Sequence, residues 1–285
     1  MGQNSPPMLE EVLHAARKIA PFPNVVWKVM PLVQKMAPVD EIETVIKYDQ
    51  AITAKVLTLS QSPFYARRHS VGTLRDAIVS LGQRQLVQVV MAACSARYFS
   101  GDTAGYDLTE GELWEHSVAT ALMSEMLAKE LGNDKVLTIY TAALLHDIGK
   151  TIMNLFVSDY LGKIMEVVKE RKISFLEAEQ QMIGIDHEKL GGLIAERWKF
   201  PKDVIAAIRN HHHPMDAGED WAVTAIVYAA NRMVSAMGIG TGVDGMMQPN
   251  KDDAFQKVGL DTKTIDKLIA NLAASWEETK QFLAA

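Results

Sequence analysis

The stretch Ala142-Ala143-Leu144-Leu145-His146-Asp147-Ile148-Gly149-Lys150 sets two strong metal-ligand types side by side inside an apolar, helix-patterned run. A carboxylate buried among Leu, Ile, Ala and Gly costs several kcal/mol unless its charge is compensated. The surrounding Leu, Ile, Ala and Gly offer no such compensation, so it is expected from elsewhere in the fold. A divalent cation is the natural candidate, and the remaining histidines are numerous enough to complete a site.

Composition sets the wider bounds. The chain has 285 residues, of which 48% are hydrophobic and 22% charged, so it can bury a large core as one or two domains. Its 15 methionines read as adaptable core filler rather than as a metal or redox device. The single cysteine, Cys94, excludes an internal disulfide, points to a reducing compartment, and lies in the apolar run Val89-Val90-Met91-Ala92-Ala93-Cys94 as a core thiol. No segment approaches the ~18 uncharged apolar residues of a membrane span, and the first residues lack a secretory apolar stretch. The expectation is a cytoplasmic protein with no membrane partner. A net charge of −6 argues against a nucleic-acid binder, which would carry a basic face.

The pattern is helical nearly throughout. Apolar residues recur at three and four spacings over 9–19, 24–36, 40–47, 51–60, 73–80 and 83–98, with breaks at Pro63, Gly72 and Gly82. Asp40 with Glu43 three residues later predicts a capping box. Downstream, helices are predicted near 110–131, 134–146, 147–157, 159–171, 174–182, 186–198, 202–212, 219–237 and 262–282. Alternating β-branched runs are nearly absent, so the fold class is all-α. The polar, glycine-bearing stretch from Phe99 to Gly111 is the best domain boundary. It divides an N-terminal helical part, 9–100, from a histidine-bearing core, 106–237, followed by a loop and C-terminal helix, 238–285. The Gly-rich loop at 238–261 (Gly238, Gly240, Gly242, Gly245, Pro249) is either a mobile flap or ordered locally by packing.

Six of the eight histidines fall after residue 110: His116, His146, His187, His211, His212 and His213; His14 and His69 precede them. Glu112 lies four residues before His116 on the same helix face, so the two could converge on one ion. His187 stands before Gly191-Gly192, which permit close helix approach. His211 and His212 end a helix before Pro214. Taken singly, a helical histidine is more often a core or surface residue, and His211 to His213 would complement a helix dipole. Taken together, imidazoles and a carboxylate suit Zn, Fe, Mn, Ni or Co better than Ca or Mg.

His116 followed thirty residues on by His146-Asp147 resembles the HD superfamily of metal-dependent phosphohydrolases. His187 and the pair His211-His212 resemble the extended ligand set of its two-metal members. More specifically, Pro21-Phe22-Pro23-Asn24-Val25, Asp49-Gln50-Ala51-Ile52-Thr53-Ala54-Lys55-Val56-Leu57, Ser62-Pro63-Phe64-Tyr65 and Ala77-Ile78-Val79-Ser80-Leu81-Gly82 resemble the HDOD family, the HD-related output domains of bacterial signalling. So do Leu113-Trp114-Glu115-His116-Ser117, Glu196-Arg197-Trp198-Lys199-Phe200-Pro201 and His211-His212-His213-Pro214. The resemblance covers roughly residues 9 to 235. It implies an HD-type helical core with an N-terminal helical subdomain, and a metal set of His116, His146, Asp147, His187, His211 and His212 holding one or two divalent transition-metal ions.

The resemblance also implies a regulatory role in signal transduction with a protein partner. Its alternative is phosphohydrolase activity on a phosphomonoester or phosphodiester, including nucleotides. Two departures bear on that choice. The last expected acidic ligand is replaced by Asn231, which offers a carbonyl oxygen but no charge, and no Gly-Tyr-Pro motif follows His212. Two divalent ions would bring four positive charges against the two negative ones of Asp147 and Glu112, so hydroxide, phosphate or another anion must complete the balance. In the catalytic reading Asp147 would ligate and orient a metal-bound hydroxide, and Lys150 would reach the phosphate of a phosphate-bearing ligand as a point charge.

Overall fold

The computed structural model describes residues 7–61, 71–101, 103–246 and 253–283, all helix, turn or loop, with no strand among them. Pro63, His69, Pro249 and the motif Ser62-Pro63-Phe64-Tyr65 lie outside the described residues. The helices are α1 (Pro7–Lys18), α2 (Asn24–Gln34), α3 (Val39–Ile46), α4 (Gln50–Ser60), α5 (Leu74–Ser95), α6 (Glu112–Glu130), α7 (Val136–Leu145) and α8 (Ile148–Val157). They continue as α9 (Leu161–Arg171), α10 (Phe175–Met182), α11 (His187–Arg197), α12 (Lys202–Arg209), α13 (Trp221–Ala236), α14 (Val243–Met246), α15 (Asp253–Lys257) and α16 (Thr262–Leu283). An isolated antiparallel bridge joins Thr103 to Leu108.

Two compact units emerge: residues 21–97 with 270–285, and residues 1–20 with 98–269. In the first, α2, α3 and α4 pack on α5 through Val25, Val26, Val29, Ile42, Ile46, Val56, Leu59, Ile78 and Leu81, all buried. Thr73 accepts the Asp76 amide and Asp76 accepts the Thr73 amide, a capping box that starts α5. The box expected at Asp40 and Glu43 does not form. Pro38 precedes α3, so Asp40 already lies in its first turn, and both carboxylates instead pair with Arg75. Gly82, at φ 68°, kinks α5 where a side chain would strain the backbone. By length and mean hydropathy Leu74–Tyr98 could cross a bilayer, yet 67% of that window is buried, as in a core helix. Cys94 is among its buried residues, and burial pushes its thiol well above the ordinary range, as befits a core residue.

In the second unit α6, α7 and α13 pack together, with α12 against α7. The sequence of α7, Val-Leu-Thr-Ile-Tyr-Thr-Ala-Ala-Leu-Leu, is apolar on every face, so it can only be a central helix. Its small Ala142 and Ala143 let neighbours approach. α8 crosses α11, and α1 lies on both. Within the loop at 238–261, the described portion is ordered by packing and carries α14 and α15.

Candidate metal centre

Four helix ends and two helix faces deliver the donors. His116 lies in the second turn of α6. His146 and Asp147 form the break between α7 and α8, where Asp147 leaves helical geometry at φ −96° and ψ 12°. His187 opens α11, whose start is capped by Asp186 accepting the Lys189 amide at 2.8 Å. His211 and His212 follow α12, and Asn231 projects from α13. The close crossing of α8 and α11 depends on Gly149: a Cβ there would meet the His187 carbonyl oxygen at 2.0 Å and the Gly191 nitrogen at 2.8 Å. That contact sets His187 beside Asp147.

The tautomers follow from the partners. Nδ1–H donates to a carbonyl oxygen in three cases: His116 to Ile239 at 2.8 Å, His146 to Ala143 at 2.7 Å, and His211 to Ile208 at 2.8 Å. His187 Nδ1–H donates to Glu179 Oε2 at 2.8 Å. Holding Nδ1 in this way is how proteins orient an imidazole whose Nε2 lone pair serves a metal. The four Nε2 atoms surround Asp147. Those of His116 and His146 lie 3.9 and 3.3 Å from Oδ2, and those of His187 and His211 lie 3.7 and 3.5 Å from Oδ1. Two ligand atoms each about 2.1 Å from one ion stand about 3.0–3.4 Å apart, so these spacings suit cation binding with little adjustment.

Unmet donors and acceptors point the same way. His146 Nε2, His211 Nε2 and Asp147 Oδ1 are buried without a hydrogen-bond partner among the described residues. His116 Nε2 faces Asn231 Oδ1 at 3.0 Å, a lone pair against a carbonyl oxygen. His187 Nε2 and His212 Nε2 are hydrogen-bonded to each other at 3.0 Å, so a cation there would replace a shared proton. The donors fall into two sets, His116 with His146 and Asp147, and His187 with His211 and His212, with the ligand atoms of each set within 4.8 Å of one another. Asp147 therefore lies where one carboxylate can face both. The set fits divalent transition metal in donor type, spacing and burial; His146, Asp147 and His211 are 0% exposed and His212 only 9%.

Burial holds His116 below its ordinary value, His146 down at about 4 and His212 well below its ordinary value, so these rings are neutral at pH 7. His187 differs. Burial opposes its charge most strongly, but the charge and hydrogen bond of Glu179 outweigh it and raise the ring to about 9. Burial likewise favours a protonated Asp147, yet His146 and the Lys150 ammonium 2.8 Å away hold its carboxyl well below the usual range.

All six expected metal residues converge here. Glu112 does not: its Oε2 accepts the Thr109 amide at 2.6 Å at the start of α6, so, against expectation, it adds no negative charge to the donor sets. Lys150 is buried between Asp147 Oδ2 at 2.8 Å and Asp244 Oδ2 at 2.7 Å, with its ammonium 5.4 Å from the Tyr106 ring centre. The sequence reading missed four residues. Glu179 holds His187 and accepts Tyr106 O–H at 2.5 Å. Glu188 accepts the His212 amide and lies 3.1 Å from His213 Nδ1. A carboxylate beside a ligand histidine is a usable signal for Glu188, and one eight residues before His187 a weaker one for Glu179. Tyr106 and Asp244 had none.

Comparison with known proteins agrees with this architecture. A curated protein of Treponema pallidum (strain Nichols), itself uncharacterized, is 25% identical over 182 residues, 64% of this chain and 35% of its own length. Ribonuclease Y of Thermus thermophilus is 30% identical over 122 residues, 43% of this chain and 16% of the enzyme. The chain thus spans about a third or less of these relatives. An HDOD domain protein of unknown function from Geobacter sulfurreducens superposes with a TM-score of 0.74 at 24% identity, over 96% of this chain and 97% of that one. A presumed phosphohydrolase from Shewanella amazonensis SB2B gives 0.74 at 21%, over 95% and 97%. At such identities these two likenesses show the fold alone. The family model for the HDOD domain matches residues 19–214, and the chain belongs to the HDOD family.

Proposed function

We propose that this chain is a cytoplasmic regulatory module of bacterial signal transduction that retains an HD-type divalent-metal site and acts through a protein partner. The observation that carries the metal assignment is the convergence of four Nε2 atoms on Asp147, with His146 Nε2, His211 Nε2 and Asp147 Oδ1 buried and without a hydrogen-bond partner among the described residues. Four features favour regulation over turnover. The ligands are almost sealed from solvent, Asn231 stands in place of an acid, Lys150 is already engaged by two carboxylates, and no Gly-Tyr-Pro motif follows His212. In this reading a bound ion ties α6, α7, α11 and the end of α12 together. The partner-binding surface is assigned to residues 20–98.

One observation favours the second reading, a metal-dependent phosphohydrolase: Asp147 stands between the two donor sets, its Oδ2 toward His116 and His146 and its Oδ1 3.7 and 3.5 Å from the Nε2 atoms of His187 and His211, as a carboxylate does in two-metal sites. A divalent ion bound there would polarise a phosphoryl oxygen and make a water acidic. Asp147 would hold the site together with its two oxygens, His187 would be kept in its ligand tautomer by Glu179, and the apolar surroundings would exclude bulk water. Elemental analysis of the purified chain, with and without chelator, tests the common part. At least one transition-metal ion per chain is expected, and its loss in Asp147→Ala; absence of stoichiometric metal rejects both readings. Turnover of p-nitrophenyl phosphate esters and cyclic nucleotides then separates them. Regulation expects metal-loaded chain to be no faster than Asp147→Ala, whereas turnover abolished by that substitution establishes the enzyme.

A further inference from the structure

The segment after α13 runs back over the donor cluster. Ile239 O accepts a hydrogen bond from His116 Nδ1–H, Thr241 Oγ1 donates to Ser235 O at 3.1 Å, and Asp244 Oδ2 reaches Lys150 Nζ at 2.7 Å. Glycines allow this proximity. A Cβ at Gly240 would meet the Glu112 carbonyl oxygen at 2.2 Å and His116 Cβ at 2.9 Å, and one at Gly242 would meet the Tyr106 carbonyl oxygen at 2.5 Å. Asp244 is only 3% exposed, and its Oδ1 has no hydrogen-bond donor among the described residues. An unsatisfied carboxylate oxygen in such a place is costly. Lys150 does not require it, because Asp147 already supplies a counter-charge at 2.8 Å.

A second carboxylate on one buried ammonium stands where an external anion would otherwise meet that ammonium. We infer that Asp244 is an intramolecular anion occupying the position of a ligand's phosphate group beside Lys150, and that the 239–244 strap must lift before such a ligand binds. The inference deepens the proposed function by naming a phosphate group as what the site admits and the strap as what controls admission. Asp244 competes with that group for the Lys150 ammonium.

Titration calorimetry with inorganic phosphate tests it, on the full chain, metal-loaded and chelator-treated, with metal content measured for every sample. Asp244→Asn keeps the shape of the side chain and removes its charge; phosphate should bind about tenfold tighter or better than to the native chain. Gly242→Ala keeps the charge but crowds the strap against Tyr106, and should also tighten binding. Adding Lys150→Met to Asp244→Asn should abolish the gain. Because the competition is for Lys150, the gain persists after chelation, so absence of metal would sink the metal reading without masking this one. Phosphate binding unchanged or weakened in both folded single variants overturns the inference.

Discussion

Glu179 does for His187 what backbone carbonyls do for His116, His146 and His211: it fixes Nδ1 as a donor and turns Nε2 toward Asp147. It differs in being a charge, and it also accepts the His187 amide at 3.0 Å and the Tyr106 hydroxyl. Glu179→Gln retains the volume but loses the charge that holds His187. Metal affinity should fall on the order of 10–100-fold, the usual scale for such outer partners. Competition with a chromogenic chelator measures it, and an unchanged affinity would remove Glu179 from the site. The residue scale is also where the sequence was least explicit. His146-Asp147 was legible because ligand types stood in an apolar run. Asp244 was not, since a lone aspartate in a glycine-rich loop is ordinary until the loop is seen folded onto Lys150.

At the scale of elements, the decisive contact is α8 against α11. Gly149→Ala would drive a methyl group into the His187 carbonyl, and backbone at both sides cannot yield cheaply. Overpacking of this kind costs roughly 1–3 kcal/mol, so thermal or denaturant unfolding should show a loss of that order. The same shift moves His187 away from Asp147, so metal uptake should fall as well; a variant as stable as the parent with undiminished metal would refute the crossing as the organiser of the site. Helices were legible from apolar periodicity because most bury one face, and α7 from being apolar throughout. Caps were less so. Asp40 with Glu43 has the spacing of a capping box, but Pro38 caps that helix two residues earlier and Arg75 claims both carboxylates. Thr73 with Asp76 and Ser174 with Glu177 form the boxes instead.

For the molecule as a whole, the order of short motifs along the chain already resembled the HDOD family, and the family match over 19–214 agrees. What periodicity could not give was the three-dimensional meeting of donors from four helices spread over His116 to His212, because helix period fixes a face and not the partner it meets. These donors are proposed to share metal around Asp147. The most direct measurement of such sharing is anomalous scattering from crystals of the purified chain, recorded on both sides of the absorption edge of the metal found by elemental analysis. A peak is expected between His116, His146 and Asp147 or between His187, His211 and His212, with Asp147 in contact and the peak lost in Asp147→Ala. Well-ordered histidines at these positions with no peak, from protein never exposed to chelator, would contradict the proposal.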